Sequence, residues 1–459
     1  YAPRTYRARI HMHDADSAYG PGFVGIPHQE GYAIKKINGQ WGPLYNQPLF
    51  DRAYWRFLKN LADGPFSPGA NVPELQGFYD MFVAHGVEND PPQEMMLANA
   101  NNQVLIFSKI PYTDFTISQS DYSTSNNIVT LSGHAPIEIA SFRVNGRGQR
   151  VTYPAVKDWR TEIGLTEGPN TFMVEGLDQE ENIVSNATVT ITLAATAPSP
   201  VEKLVISEIM YHPSEIQAEY VEIFNRSSDT FDLGGWKLNG IGFSFDGGAL
   251  IGPGEYRVVA ENITAYQHAY GNAEVVIGDY GGNLDNGGET LSLEMPMGAS
   301  EWLEIDKVRY ADMGAWSTNA DGTGASLQLL DVSADNSRAG NWGVVPFPEA
   351  ESRTPGVANS NEVALFSFPL LWINEVMPSN VSVVADNFGE FEPWIELYNA
   401  DTGAIDLTEY RLSNDYEDLD RWAFPTGITI DADSYLLIWA DAESDEADEG
   451  FLHTGFRMN

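Results

Sequence analysis

The sequence predicts a mainly β chain of tandem β-sandwiches preceded by a small helical segment. Beyond about residue 112, short runs rich in Val, Ile, Leu and aromatic residues alternate with Gly, Asn and Asp-Gly, a pattern typical of short strands joined by tight turns. Before that point, apolar residues recur at helical spacing. A segment that contains Ile206 recurs 167 residues later (373 − 206), around Ile373. Many short strands per domain indicate immunoglobulin-like sandwiches.

The composition excludes several classes of site and partner. A single core rarely grows past roughly 250 residues, so 459 residues predict three or four domains. Asp and Glu number 65 against 25 Lys and Arg, a net charge of −40 that disfavours nucleic acid and anionic membranes but suits divalent cations and cationic partners. The absence of cysteine excludes disulfides, zinc–thiolate sites and thiol nucleophiles. No apolar run approaches the ~18 residues of a membrane-spanning segment. The sequence begins at Tyr1 without a charged-then-apolar leader, so any signal peptide lies outside these residues.

The first predicted domain, residues 1–112, is helical. Apolar residues at helical spacing predict helices over residues 51–64, 74–86 and 93–109. Glycine ends the first two, at Gly64 and Gly86. This part of the chain therefore differs in class from everything that follows.

A short aspartate motif precedes these helices. The stretch His13-Asp14-Ala15-Asp16-Ser17-Ala18-Tyr19-Gly20 stands where the spore-coat kinase-like (CotH) family carries WDLDxxFG, and YWRFLKNLADGPFSPGANVPELQGFY resembles the closing helices of that family. The resemblance implies that Asp14 binds magnesium and that Asp16 supports it. His13 departs from the family pattern, and no ATP-binding lysine or glycine-rich loop precedes Tyr1. Phosphoryl transfer needs those parts together. The alternative is that the two aspartates lie in a solvated loop.

Residues 113–195 predict a compact sandwich. Six or seven short strands fit in this stretch, with a tight turn at Asn145-Gly146 and a hairpin tip over residues 178–182. Trp159 is a predicted core residue. The landmarks TLSGHAP, VNG and GPNTFMVEGLD are similar to those of a bacterial immunoglobulin-like spacer, to which we assign no chemistry. The Pro-rich residues 194–203 predict a linker.

Residues 204–358 contain the most recognisable motifs. SEIMYHP, EYVEIFN, DLGGWKL and ADGTGASLQL occur here in one order, and together they resemble the lamin-tail domain. That family, found in nuclear lamins and large secreted bacterial proteins, has an immunoglobulin-like sandwich fold. The apolar phase of the strands predicts a core that includes Ile206, Ile209, Val221, Ile223, Trp236, Leu238, Leu291 and Leu293.

Residues 364–459 repeat this pattern but stop short of it. INEVM corresponds to ISEIM, WIELYN to YVEIFN, and DLTEYRLS to DLGGWKLN, whereas nothing corresponds to GGETLSLEM. We expect an incomplete lamin-tail-like sandwich with exposed edges, either because the sequence is a window of a longer chain or because another molecule supplies strands. Glu208, Glu222, Glu375 and Glu396 recur at matched positions, which favours a structural place on the sheet over acid–base catalysis.

The densest acidic region predicts a cation site or a solvated surface. Between Asp386 and Glu449, only Arg411 and Arg421 carry positive charge. Hard cations bind clustered carboxylates in loops, so calcium could be bound by Asp415, Asp418 and Asp420. The spacing is not that of an EF-hand, and solvated acidic loops are the alternative. We predict no other cofactor.

These observations predict an extracellular structural or adhesive protein without catalysis in this chain. The expected partners are another protein, a component of the cell envelope or matrix, or a second copy in a filament or other self-assembly. The alternative is that these domains form the trailing part of a secreted kinase whose ATP-binding portion precedes Tyr1.

Overall fold

The computed structural model describes residues 47–64, 67–86, 93–298, 300–364, 369–415, 418–448 and 450–458. This part of the chain is mainly β, with helices first and three groups of strands after them. The predicted fold class is therefore confirmed. Among the described helices, none combines the length and the hydropathy needed to cross a bilayer.

The three predicted helices are present. They are α1 (Pro48–Asp63), α2 (Pro68–Ala84) and α3 (Gln93–Lys109). Helix α2 begins earlier than predicted, because the Ser67 hydroxyl caps it by accepting a hydrogen bond from the amide of Ala70 at 3.4 Å. The apolar stripe predicted on α2 does not form a core in the described structure, since Phe78, Phe82 and Val83 are exposed.

The spacer follows α3 and consists of strands β1 to β7. These are β1 (Tyr122–Thr124), β2 (Ile128–His134), β3 (Ser141–Val144), β4 (Arg147–Gln149), β5 (Asp158–Gly164), β6 (Gly168–Leu177) and β7 (Ile183–Leu193). A sheet of order β1-β7-β6-β3-β4 faces the pair β2-β5, and Trp159, 1% exposed, lies in the core between them as predicted. Asn145 and Gly146 have positive φ in the β3–β4 turn, which confirms the predicted tight turn.

The first repeat consists of β8 to β19. Its elements are β8 (Leu204–Met210), β9 (Tyr220–Asn225), β10 (Phe231–Asp232), β11 (Lys237–Asn239), β12 (Phe243–Ser244), β13 (Leu250–Ile251), β14 (Tyr256–Ala260), α4 (Ile263–Tyr270), β15 (Val276–Asp279), β16 (Thr290–Pro296), β17 (Trp302–Arg309), β18 (Leu327–Leu329) and β19 (Trp342–Gly343). Sheets of order β15-β14-β9-β8-β18-β19 and β12-β11-β16-β17, with the pair β10-β13, enclose one core. All eight predicted core residues are buried in it.

The second repeat consists of β20 to β27. Its strands are β20 (Leu371–Met377), β21 (Trp394–Asn399), β22 (Ile405–Asp406), β23 (Arg411–Leu412), β24 (Trp422–Ala423), β25 (Thr429–Ile430), β26 (Ser434–Trp439) and β27 (Leu452–His453). They form the sheet β20-β21-β26-β27 and the pairs β22-β25 and β23-β24. Counterparts of β16 to β19 do not occur in the described part of this repeat.

The two repeats share strand register as well as sequence. A bulge falls between Ile206 and Glu208 in the β8–β9 pair, and one falls between Ile373 and Glu375 in the β20–β21 pair. Each β9-type strand ends at a fully buried asparagine. The amide of Asn225 donates to Asp229 O, Ile251 O and Gly252 O, and that of Asn399 donates to Gly403 O, Ile430 O and Asp431 O. The same side chain thus fixes the same turn twice.

Helix α1 is tied to the spacer by two arginines, Arg56 and the buried Arg52. The Arg52 guanidinium, 1% exposed, donates to Ala135 O at 2.8 Å, Pro136 O at 2.6 Å, Ile139 O at 3.1 Å and Val156 O at 2.5 Å. These carbonyls belong to two loops of the spacer, 83 to 104 residues away in sequence. The helical segment and the spacer therefore share a fixed interface.

The spacer also lies against the first repeat. Gly247 N donates to Gly148 O at 2.9 Å, and Arg150 N donates to Gly247 O at 2.9 Å, so the two sandwiches exchange backbone hydrogen bonds. The carboxylate of Asp232 accepts from Gly164 N at 2.8 Å. A Cβ at position 247 would lie 2.0 Å from Gln149 Oε1, so a larger residue there would displace the Gln149 side chain.

Candidate interaction surface

In the first repeat, two glutamates that face each other on β8 and β9 are completely buried. Glu208 accepts from Tyr220 Oη at 2.8 Å and Thr354 N at 2.8 Å, and it also accepts from Ser326 Oγ. Every partner is a hydroxyl or a backbone amide. Burial raises the pKa of Glu208.

The second buried glutamate, Glu222, binds the same loop as Glu208. It accepts from Ser207 Oγ at 2.8 Å and from Gly356 N at 2.6 Å. Burial, and then the neighbouring Glu208, raise the pKa of Glu222 well above its ordinary value. The two side chains hold the loop around Thr354 and Gly356 against the sheet. With no exposed surface, they fit the predicted structural role.

In the second repeat, the corresponding glutamates lie on an open surface. Glu375 faces Glu396 in the same register, but Glu375 is exposed, and Glu396 accepts from Asn374 Nδ2 at 2.7 Å. No amide of a following loop reaches either carboxylate among the described residues. The carboxylates that clamp a loop in the first repeat are thus accessible in the second.

The apolar side chains around them are also uncovered. Ile206 and Ile209 on β8 are 0% exposed, whereas their counterparts Ile373 and Val376 are 60% and 48% exposed. Trp372 is 47% exposed. An isolated exposed residue is ordinary, but several adjacent ones on one strand mark an interaction surface.

The first repeat shows what covers this surface when it is closed. Strand β18 pairs antiparallel with β8, placing Leu327 opposite Ile209. From the other sheet, the carboxylate of Asp306 on β17 accepts from Ile206 N at 2.7 Å. In the described second repeat, β20 pairs with β21 alone, so its other edge presents unpaired backbone groups.

The site residues predicted from motifs are not on this surface. Asp14 and Asp16 lie outside the described residues. Asp415, Asp418 and Asp420 lie on a turn, where Arg421 Nη1 is 3.4 Å from Asp415 Oδ2 and Arg411 Nε is 3.8 Å from Asp420 Oδ1. Two arginines therefore neutralise part of this acidic turn, and calcium binding there stays a prediction.

The structure brings together a different acidic group in the same repeat, from two loops that are distant in sequence. Asp386 and Glu390 precede β21, whereas Glu443 and Glu446 follow β26. All four lie in the acidic region between Asp386 and Glu449 noted above, but nothing in their spacing indicated that the two loops meet.

A cleft of about 460 Å³ lies between the spacer and the first repeat. Arg150, Arg160 and Arg257 line it together with Glu162 and Glu274. Arg150 donates to Ile277 O across the cleft, and Arg160 pairs with Glu162 at 3.2 Å. The cations of this cleft are used within the fold, so the open sheet of the second repeat is the better candidate for binding.

Comparison with known families supports the internal repeat. Residues 197–312 and 368–458 match the family model of the Lamin Tail Domain. The two matched segments fall on the two repeats, so both can be called lamin-tail-like. The helical segment and the spacer lie outside the matched residues. No curated protein sequence matches the chain.

Two solved structures resemble parts of the chain. One is SGBP-B of the Bacteroides ovatus mixed-linkage glucan utilization locus, in complex with a mixed-linkage heptasaccharide, at 10% identity, a TM-score of 0.12, and coverage of 39% of this chain and 38% of that chain. The other is a DUF4876 family protein from Bacteroides thetaiotaomicron, at 19% identity, a TM-score of 0.11, and coverage of 31% and 47%. The chain thus spans less than half the length of either protein.

Proposed function

We propose that this chain is an extracellular, non-catalytic binding and scaffold protein, whose second lamin-tail-like repeat is completed by strand addition to β20, from a further segment of a longer polypeptide or from another molecule. The occupant is a β-strand followed by a loop that presents backbone amides, of the kind that β18 and the Thr354–Gly356 loop provide in the first repeat. The proposal rests on the exposure of β20, because the corresponding strand of the first repeat, β8, is buried.

Three features of β20 and its neighbour β21 support the proposal. Its edge offers backbone donors and acceptors, which give affinity in strand addition. Its exposed apolar side chains, Ile373 and Val376, offer area to bury, and Glu375 and Glu396 offer acceptors for two amides. The extracellular assignment is supported by the lamin-tail match, since that family occurs in secreted bacterial proteins.

The chain itself supplies a probe for the test. A peptide of residues 321–361 contains β18, β19 and the Thr354–Gly356 loop. We expect it to bind the full chain in calorimetry and to slow amide hydrogen exchange in β20. Val376→Lys places a charge on the edge and should weaken binding about tenfold or more. The matched control is Val381→Lys, at a loop position that is already 78% exposed.

A second measurement covers self-assembly. If copies of this chain complete one another, sedimentation should show oligomers that Val376→Lys dissociates and Val381→Lys leaves intact. The proposal is wrong if the peptide leaves β20 unprotected and the chain sediments as a monomer over the same concentrations. It is equally wrong if binding occurs but is indifferent to Val376→Lys.

A further inference from the structure

Two loops of the second repeat bring four carboxylates together at one end of its sheet. We call this group the acidic corner: Asp386 and Glu390 from the β20–β21 loop, and Glu443 and Glu446 from the β26–β27 loop. Ligand atoms of Glu390, Glu443 and Glu446 all lie within 4.8 Å of one another. Ligand atoms of Asp386, Glu446 and His453 meet the same limit. Glu446 therefore joins both groups.

One carboxylate of the corner is buried and lacks a partner. Asp386 is 8% exposed, and its Oδ1 accepts from Phe388 N and Glu390 N, both at 2.8 Å. Its Oδ2 is buried and has no hydrogen-bond partner among the described residues. A buried carboxylate oxygen left in this state carries a large desolvation cost unless a proton or a cation meets it.

Two neighbouring glutamates also have an oxygen without a hydrogen-bond partner in the described structure. These oxygens, Glu443 Oε2 and Glu446 Oε2, are buried as well. Each of these three carboxylates thus has an oxygen without a donor, and Glu446 lies close to both of the others. Arg457, which lies close enough to act on Glu443, is paired with Glu392. A divalent cation is the ligand that satisfies three such oxygens at once.

The donor set indicates the kind of cation. His453 is already satisfied, because its Nδ1 lies 2.7 Å from Asp441 Oδ2 and its Nε2 lies 2.9 Å from Asn387 Oδ1. The atoms that lack partners are carboxylate oxygens alone. Oxygen-only sites of several carboxylates suit calcium, whereas zinc and other transition metals favour sites with imidazole. His453 and Asp441 act here as positioning residues.

In the first repeat, a helix stands at the position that the acidic β26–β27 loop has in the second. There, the connection from β14 to the parallel strand β15 is helix α4, whose Tyr266 is 0% exposed and packs on Tyr220. In the second repeat, the connection from β26 to the parallel strand β27 is the acidic loop of residues 440–451. One repeat thus stabilises this connection with a buried helix, whereas the other has a loop rich in carboxylates.

From these observations we infer that the acidic corner is a calcium site formed by Asp386, Glu390, Glu443 and Glu446. The ion bridges the β20–β21 and β26–β27 loops and takes the place that α4 has in the first repeat. This inference is independent of strand addition at β20.

The test uses the full chain after treatment with a chelator. Calorimetry with Ca²⁺ up to about 10 mM covers the affinities of extracellular sites, and we expect one ion per chain at this corner. Hydrogen exchange should slow in residues 384–392 and 440–453. Asp386→Asn and Glu446→Gln should each weaken binding by at least about tenfold, because each removes a charged ligand.

The control variants separate this site from its neighbours. Asp445→Asn lies in the same loop, is exposed and belongs to neither group, so it should leave the affinity unchanged. If only Asp418→Asn abolishes binding, calcium binds the turn predicted from sequence and the inference is wrong. Absence of calcium-dependent protection in either loop also refutes it, as does binding of Zn²⁺ but not Ca²⁺. Circular dichroism of each variant excludes unfolding as the cause.

Discussion

The matched asparagines of the two repeats permit a quantitative prediction. Asn225→Ala removes a buried amide that donates to three carbonyls, at 2.7, 3.2 and 2.9 Å. Asn399→Ala removes the same group in the second repeat, at 2.8, 2.8 and 3.1 Å. In each case one bond is wholly buried and two are accessible enough for water to replace the amide.

The expected cost follows from that difference. A buried carbonyl without a partner costs ~2 kcal/mol, and each of the other two bonds contributes about 0.5–1 kcal/mol net. We therefore expect each variant to destabilise its own repeat by about 3–4 kcal/mol. Because about 1.4 kcal/mol is a factor of ten, amide exchange from global opening of that repeat should accelerate by more than ~10².

Hydrogen exchange in the full chain measures both repeats in one sample. Asn225→Ala should accelerate exchange over residues 204–260 and leave residues 394–440 unchanged, and Asn399→Ala should do the reverse. Asn239→Ala is the control, because Asn239 is exposed and its amide donates at 3.4 Å. An effect below about 1 kcal/mol at both sites would falsify the reasoning. A large effect at one site alone would show that the repeats do not share this turn.

Two further predictions concern the first part of the β region. Arg52→Met should weaken the contact of α1 with the spacer by about 3–5 kcal/mol, because three carbonyls lose their charged donor while Ile139 O keeps only Arg56. Unchanged protease resistance of residues 47–64 would contradict this. For Glu219, burial raises the pKa to about 7. The stability that its proton provides is complete below about pH 4.5 and is lost as the pH rises through about 7. Glu219→Gln should therefore flatten the pH dependence of first-repeat stability and raise that stability at pH 8, by up to ~3 kcal/mol; identical pH profiles would refute the assignment.

Local patterns in the sequence predicted the fold well. Apolar phase identified all eight proposed core residues of the first repeat, and Asn-Gly identified the β3–β4 turn. The internal repeat predicted both copies, because matched motifs imply matched strands. On α2, helical spacing identified the helix but not its environment, since Phe78 and Phe82 are exposed in the described structure.

The candidate sites depended on contacts between distant residues, which periodicity does not report. Asp386 and Glu446 meet because β26 and β27 pair in parallel, and that pairing brings the intervening loop beside the β20–β21 loop. Acidic density alone led to the turn of Asp415 and Asp420. Nothing in the sequence indicated that Arg421 and Arg411 approach those aspartates.

The lateral contact between the spacer and the first repeat has a mechanical consequence. The linker of residues 194–203 joins them, and ten extended residues can span about 35 Å. The Gly148–Gly247 bonds and the contact of Asp232 with Gly164 lie side by side. A pulling force must therefore break these contacts before the two sandwiches can separate. In a scaffold under tension, we expect this pair of sandwiches to keep a fixed length at low load and to separate, held by the linker, above a threshold.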